Sequence, residues 1–175
     1  MPDIVQNRRV PVADLKLACL RLLQKVGVPA EQADLIADAI LAADLRGVDS
    51  HGVLRLPAYI HKVMRGLMVA DTRPRVVRDF HATAVLDGGG GFGQVAAIQG
   101  MDLALRKARE HGVGAVGVRN ANHFGIAAYY AMRALEHDAV GIVMEHAMRY
   151  MQTGEATSSV GKHTDVLDNL AGACP

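Results

Sequence analysis

The chain has 175 residues, of which 50% are hydrophobic, 21% charged and 4% aromatic, with 18 glycines, no tryptophan and a formal net charge of +1. These values describe a soluble globular chain and exclude a disordered charged tail, a collagen-like repeat and a disulfide-dense mini-protein. With 19 Lys+Arg against 18 Asp+Glu and no basic run to neutralise phosphates, no nucleic-acid partner is expected.

Val12, Leu15, Cys19, Leu22, Leu23 and Val26 follow one another at intervals of 3, 4, 3, 1 and 3. That spacing predicts an amphipathic helix over 12–26 with Gly27 as its C-cap. Cys19 falls on the apolar stripe and reads as a small buried thiol, and its only companion, Cys174, lies at the other end of the chain, which suits a reducing compartment. Pro29 and Glu31 suit the first turn of a second helix, which carries Ala33, Ile36, Ala37 and Ile40 to about Arg46. The two helices make an αα-hairpin. A polar segment, Val48-Asp49-Ser50-His51-Gly52, precedes a third helical stretch that begins near Pro57 or is kinked there, and runs to about Leu67.

From Arg75 the pattern changes. Val76 and Val77, then Ala84, Val85 and Leu86, read as short strands, so a domain boundary falls near 68–75. A helix over about 92–110, with Ile98, Met101, Leu105 and Ala108 on one face, ends at Gly112. Residues 115–118 read as a strand, 126–137 as a helix and 140–144 as a further strand, an order that implies parallel pairing through a right-handed crossover. Residues 145–175 lack sustained periodicity and are rich in Ser, Thr, Gly and Asp, which predicts a loosely held polar tail. The opening MPDIVQNRRV has no apolar core, and no run of about eighteen apolar residues occurs, so no membrane span is expected and the cytoplasm is the default address.

Three clusters could carry chemistry. Gly88, Gly90 and Gly93 spell G-x-G-x-x-G between a predicted strand and a predicted helix, the context of a dinucleotide fingerprint. The acidic residue expected about twenty positions on is missing, because the next strand ends in Val118-Arg119-Asn120. Four consecutive glycines satisfy many such patterns by accident, and a plain tight turn is the preferred reading. The second cluster is Ser50-His51 with Arg55 and Tyr59. A histidine can exchange a proton near neutrality, and an arginine fork binds a carboxylate through two bonds. In a continuous helix His51, Arg55 and Tyr59 would share one face, and the bland alternative is a solvated polar turn. The third cluster, Asn120-Ala121-Asn122-His123-Phe124-Gly125, sits at the carboxyl end of a strand, where α/β folds bind ligands and where capped turns also occur. The other histidines show no paired ligand spacing, so no metal site is expected. No serine sits in a G-x-S-x-G elbow.

At these residues a family resemblance emerges. ADLRGVDSHGVLRLPAYI (43–60), GGFGQ (90–94) and NHFG (122–125) together resemble the malate/L-lactate dehydrogenase family of NAD(P)-dependent oxidoreductases, over residues 10 to about 144. That family also holds sulfolactate and ureidoglycolate dehydrogenases and cyclic imino acid reductases. The resemblance implies an α/β fold. An N-terminal helical domain (1–70) carries the substrate and acid/base motif, followed by part of a non-Rossmann nicotinamide-binding domain with a mixed sheet (71–144) and a divergent tail (145–175). Such a fold makes the G-x-G-x-x-G match misleading.

By the same resemblance His51 is the catalytic proton donor or acceptor, Ser50 its relay, and Arg55 with Tyr59 the grip on the substrate. His123, Phe124, Gly125, Ile126 and Ala127 form a loop contacting NAD or NADP, with His123 as a second acid/base candidate. Arg119 is a single pointer toward a 2′-phosphate. The implied substrate is a small 2-hydroxy acid, or the matching 2-oxo or imino acid, and the implied full-length assembly is a homodimer. Beyond Met144 the family continues with a second cofactor-binding half, whereas here Glu145 begins dissimilar polar sequence. The expectation is a truncated form, impaired in activity and marginally stable, with 140–144 as an exposed edge strand. The alternative is a non-catalytic remnant or a helical association module.

Overall fold

The computed structural model describes residues 9–145 and the backbone of 149–150 and 156–157. Helices α1 (Val12–Lys25) and α2 (Ala30–Leu45) form the expected hairpin. Gly27 ends α1 in the left-handed region at φ +90°. There the Gly27 N–H bonds the Gln24 carbonyl and the Val28 N–H the Leu23 carbonyl, the paired closure that uses up a helix's last carbonyls. Small residues on α2, Ala33 and Ala37, let α1 approach, and Cys19, Leu23, Ile36 and Ile40 fill the space between them. Leu56, Tyr59, Met68, Phe92 and Val95 belong to the same cluster, so the core spans both sequence regions on either side of residue 70.

Two 3₁₀ turns, Asp49–His51 and Val53–Arg55, lead into α3 (Leu56–Met64), whose first turn holds Pro57. Strand β1 (Arg75–Phe80) pairs antiparallel with β2 (Thr83–Asp87), and β2 pairs parallel with β3 (Ala115–Arg119). Their order in the sheet is β1-β2-β3, which makes it mixed. The crossover between the parallel strands is α4 (Gly93–His111). Ala84 and Leu86 are buried on β2, and Gly100 lets α4 come close to β3, since a Cβ there would stand 3.0 Å from Val118 Cγ2.

Two elements differ from those the sequence predicts. The helix expected over 126–137 is α-helical only as α5 (Ala127–Ala131), and continues as a 3₁₀ stretch, Met132–His137. The strand expected over 140–144 is absent from the sheet, and the parallel β-α-β unit is β2-α4-β3. After Asp138 turns left-handed at φ +52°, Gly141 packs so tightly on Ala131 that a Cβ would lie 2.2 Å from its carbonyl oxygen. There the chain lies against α5 and joins no ladder, and Val140, Ile142 and Met144 are 84%, 64% and 85% exposed. Apart from Glu145 and two short pairing segments, β4 (Arg149–Tyr150) and β5 (Ala156–Thr157), the expected tail lies outside the described residues.

Candidate active site

The turn after α2 is built on Asp44. Its Oδ2 accepts the Val53 backbone N–H at 2.9 Å, and a Cβ on Gly52 would fall 1.7 Å from Oδ1. Only glycine fits there. The carboxylate thus breaks what would be a continuous helix into two 3₁₀ turns and sets the direction of everything from Ser50 to Arg55. Ser50 Oγ lies 2.9 Å from His51 Nδ1, and Arg55 Nε donates to the Ser50 carbonyl at 2.6 Å. His51, Arg55 and Tyr59 are accordingly not one face of one helix. The arginine is tied back to the turn that carries the histidine.

The second wall comes from the loop after β3. Asn120 adopts φ +50°, a left-handed conformation that asparagine tolerates. The Gly88 and Gly90 N–H groups bond the carbonyls of Arg119 and Asn120 at 2.9 and 2.8 Å. The Asn122 side chain donates back to the Gly90 and Gly91 carbonyls at 2.9 and 3.1 Å. A Cβ at Gly91 would meet Thr72 Oγ1 at 2.3 Å, and one at Gly93 would meet Asn122 O at 2.0 Å. The glycine cluster is thus packed against its own chain, and the N-terminus of α4 is covered by the loop bearing His123. At Gly91 and Gly93 it is a clamp for that loop.

The two walls meet at three rings. The Tyr59 hydroxyl, from α3, lies 2.8 Å from His123 Nδ1, and the His51 and His123 ring centroids are 5.3 Å apart. Tyr59 also stands edge-on to Phe92 at 6.0 Å, so the core itself positions the phenol. Of the remaining predicted residues, Phe124 packs its ring 5.1 Å from that of Tyr130, while its carbonyl accepts the Tyr130 hydroxyl. Gly125 lies in the left-handed region, Ile126 is the extended residue that caps α5, and Ala127 begins it. Arg119 is engaged within its own sheet, where its Nε pairs with Asp87 Oδ2 at 3.0 Å.

Burial depresses His123 most, helped by the positive charges of His51, Arg55 and Lys62, and takes it to about 4 from its ordinary 6.5. Burial pushes the Tyr59 phenol up to about 12, against the opposing pull of the Gln94 amide and Arg55. Between about pH 4 and 6.5 the unfolded chain therefore binds more protons at His123 than the folded one, and stability rises with pH. In urea titrations the stability advantage of the native chain over His123→Gln should shrink on acidification from pH 6.5 to 4. Parallel curves through that window would refute the buried, neutral ring.

Two residues of the site escape the motif reading. Asp44 is one, and the only sign of it is its place within ADLRG. Gln94, fully buried on the first turn of α4, is the other. It neighbours the Tyr59 hydroxyl closely enough to pull on the phenol, though neither amide atom reaches a partner in full hydrogen-bond geometry. Among the described residues no three His, Cys, Asp or Glu side chains gather as metal ligands.

The sequence profile described as malate/L-lactate dehydrogenase matches residues 10–161, past the point near 144 where the motif resemblance stops. A malate dehydrogenase of Pyrococcus abyssi is 44% identical over 139 residues, 79% of this chain and 38% of that protein. An L-sulfolactate dehydrogenase of Methanocaldococcus jannaschii is 44% identical over 129 residues, 74% and 38% of the two chains. The solved malate dehydrogenase of Pyrococcus horikoshii superposes with a TM-score of 0.73 at 43% identity, over 78% of this chain and 40% of that one. The chain thus spans about two-fifths of the length of the proteins it matches.

Proposed function

The chain belongs to the malate/L-lactate dehydrogenase family, and we propose that it carries the substrate-gripping and proton-moving part of an oxidoreductase acting on a small 2-hydroxy acid. One observation carries this reading: the His51 ring lies 5.3 Å from that of His123, which meets the hydroxyl of the buried Tyr59, while Arg55 on the next turn is tied through Nε to the Ser50 carbonyl beside His51. Arg55 binds the substrate carboxylate, because its planar fork matches two carboxylate oxygens. With the acid held there, His51 takes the hydroxyl proton while the hydrogen on the same carbon departs with its electron pair, and Ser50 steadies the imidazole that receives the proton. In reverse, His51 returns the proton to a 2-oxo or imino acid.

A bound nicotinamide, NAD or NADP, supplies the acceptor or donor of the hydride. Residues 123–127 fit one wall of its site, since a Cβ on Gly125, at φ +87°, would meet nothing within 4 Å and the backbone is open on that side. The same reading makes the full-length enzyme a cytoplasmic homodimer working on small molecules. No described helix is long and apolar enough to cross a membrane.

The test is a screen of the chain, extended to the full length of its relatives, against malate, lactate and sulfolactate with each cofactor. Appearance of reduced cofactor with one of these acids is expected. A folded, extended protein that reduces neither cofactor with any of them would favour the non-catalytic alternative.

A further inference from the structure

We infer that His123 serves the site as a neutral hydrogen-bond donor, offering Nε2–H to the substrate's reacting oxygen, and that it is not a group that gives or takes a proton. The tautomer follows from geometry alone, while the identity of the oxygen rests on the 2-hydroxy-acid reading above. The Gly125 backbone N–H donates to His123 Nδ1 at 3.3 Å. An amide N–H can only donate, so Nδ1 must hold a lone pair, and the ring's single hydrogen sits on Nε2. The Tyr59 hydroxyl, 2.8 Å from the same Nδ1, is then a donor too.

Two donors converging on one ring nitrogen make its protonation costly. A hydrogen on Nδ1 would point at the Gly125 N–H and would force Tyr59 to turn around. Neither partner yields easily, because Tyr59 is in the core and Gly125 lies in a loop clamped through Asn122. The charged groups acting on the ring work in the same direction. His51, Arg55 and Lys62 all disfavour a cation there, and burial adds to them. With the imidazoles 5.3 Å apart, a charge on His51 works against a second one on His123. Environments that push two titratable groups apart assign one to move the proton and the other to polarise. A donor fixed before the reaction, in a partly buried site, is worth more than a mobile one because nothing reorganises when charge develops on the oxygen.

Nitrogen-15 NMR of the histidine-labelled 175-residue chain decides the tautomer, with the His123 signals identified through His123→Gln. An unprotonated, hydrogen-bonded Nδ1 and a protonated Nε2, unchanged from about pH 8 to 5, is expected. A hydrogen on Nδ1, or an imidazolium at pH 7, would overturn the inference. Kinetics of the length-extended enzyme supply the second readout. His123→Ala should cost about 10²-fold in turnover, and His123→Gln, which restores a neutral N–H, should regain about tenfold of it. Both should keep the pH–rate limb that His51 supplies. Equal losses with disappearance of that limb would make His123 the proton carrier. If the parent enzyme turns over no 2-hydroxy acid, the functional reading falls, and the nitrogen shifts still decide for or against the locked donor.

Discussion

On the proposed function, His51→Ala is expected to lower turnover of the length-extended protein by about 10²- to 10⁴-fold, equivalent to about 3 to 5 kcal/mol of barrier. The size follows from what the substitution removes. A hydroxyl cannot release its proton to bulk water as fast as to a base already in contact, and in this site the other imidazole has its Nδ1 spent on Gly125 and Tyr59. Stability should barely change, because His51 sits on a turn whose shape is set by the Asp44 carboxylate at Val53 and Gly52 and not by the imidazole. The neighbouring Arg55→Ala should differ in kind. Losing the carboxylate fork weakens substrate binding and turnover together, whereas losing the base weakens turnover and flattens its pH dependence. An unchanged kcat in His51→Ala would move the acid/base role to another residue.

How far the residues announce this site depends on the distance over which each feature acts. Helix α1 is visible in the spacing from Val12 to Val26, and its end in Gly27, because both are local properties of the backbone. The contact between Tyr59 and His123 joins positions 64 apart, and no periodicity reports it. The break at Gly52 misleads a helical-face reading of His51, Arg55 and Tyr59 because its cause, the Asp44 carboxylate, lies in the preceding helix. The run from Val140 to Met144 misleads in the opposite way. Alternating apolar residues identify a segment able to pair, but they do not say that it will, and here Gly141 lies on Ala131 and the segment joins no ladder. The glycine cluster shows the limit of motif matching most plainly. G-x-G-x-x-G fits a diphosphate cradle on paper, while in space Gly91 and Gly93 are small so that Thr72 and Asn122 can reach the backbone.

That last contact makes Gly93→Ala the substitution with the largest combined effect. The new methyl would stand 2.0 Å from Asn122 O and 2.8 Å from the carbonyl atoms of His123, all of them main chain. No side-chain rotation relieves such a clash, so either the first turn of α4 withdraws or the loop carrying His123 moves. The loop cannot move alone, because Asn122 is bonded to the Gly90 and Gly91 carbonyls, and the strain spreads into the turn that starts the helix. Overpacking of this kind costs about 1 to 3 kcal/mol or more, a sizeable share of a net stability of about 5 to 15 kcal/mol. The molecules that still fold should carry His123 displaced from Tyr59, and a shift of about 1 Å in a positioned group can lower turnover about 10²-fold. Gly112→Ala is the matched control at the other end of α4. It sits at φ +79° with nothing within 4 Å of the added methyl, so it should cost about 1 kcal/mol of backbone strain and leave the histidine signals and turnover as they were. Urea unfolding and the nitrogen shifts of His123 measured on both variants separate clash from strain. Equal stability losses, with His123 Nδ1 still hydrogen-bonded in Gly93→Ala, would show that the glycine at position 93 is not what holds the His123 loop in place.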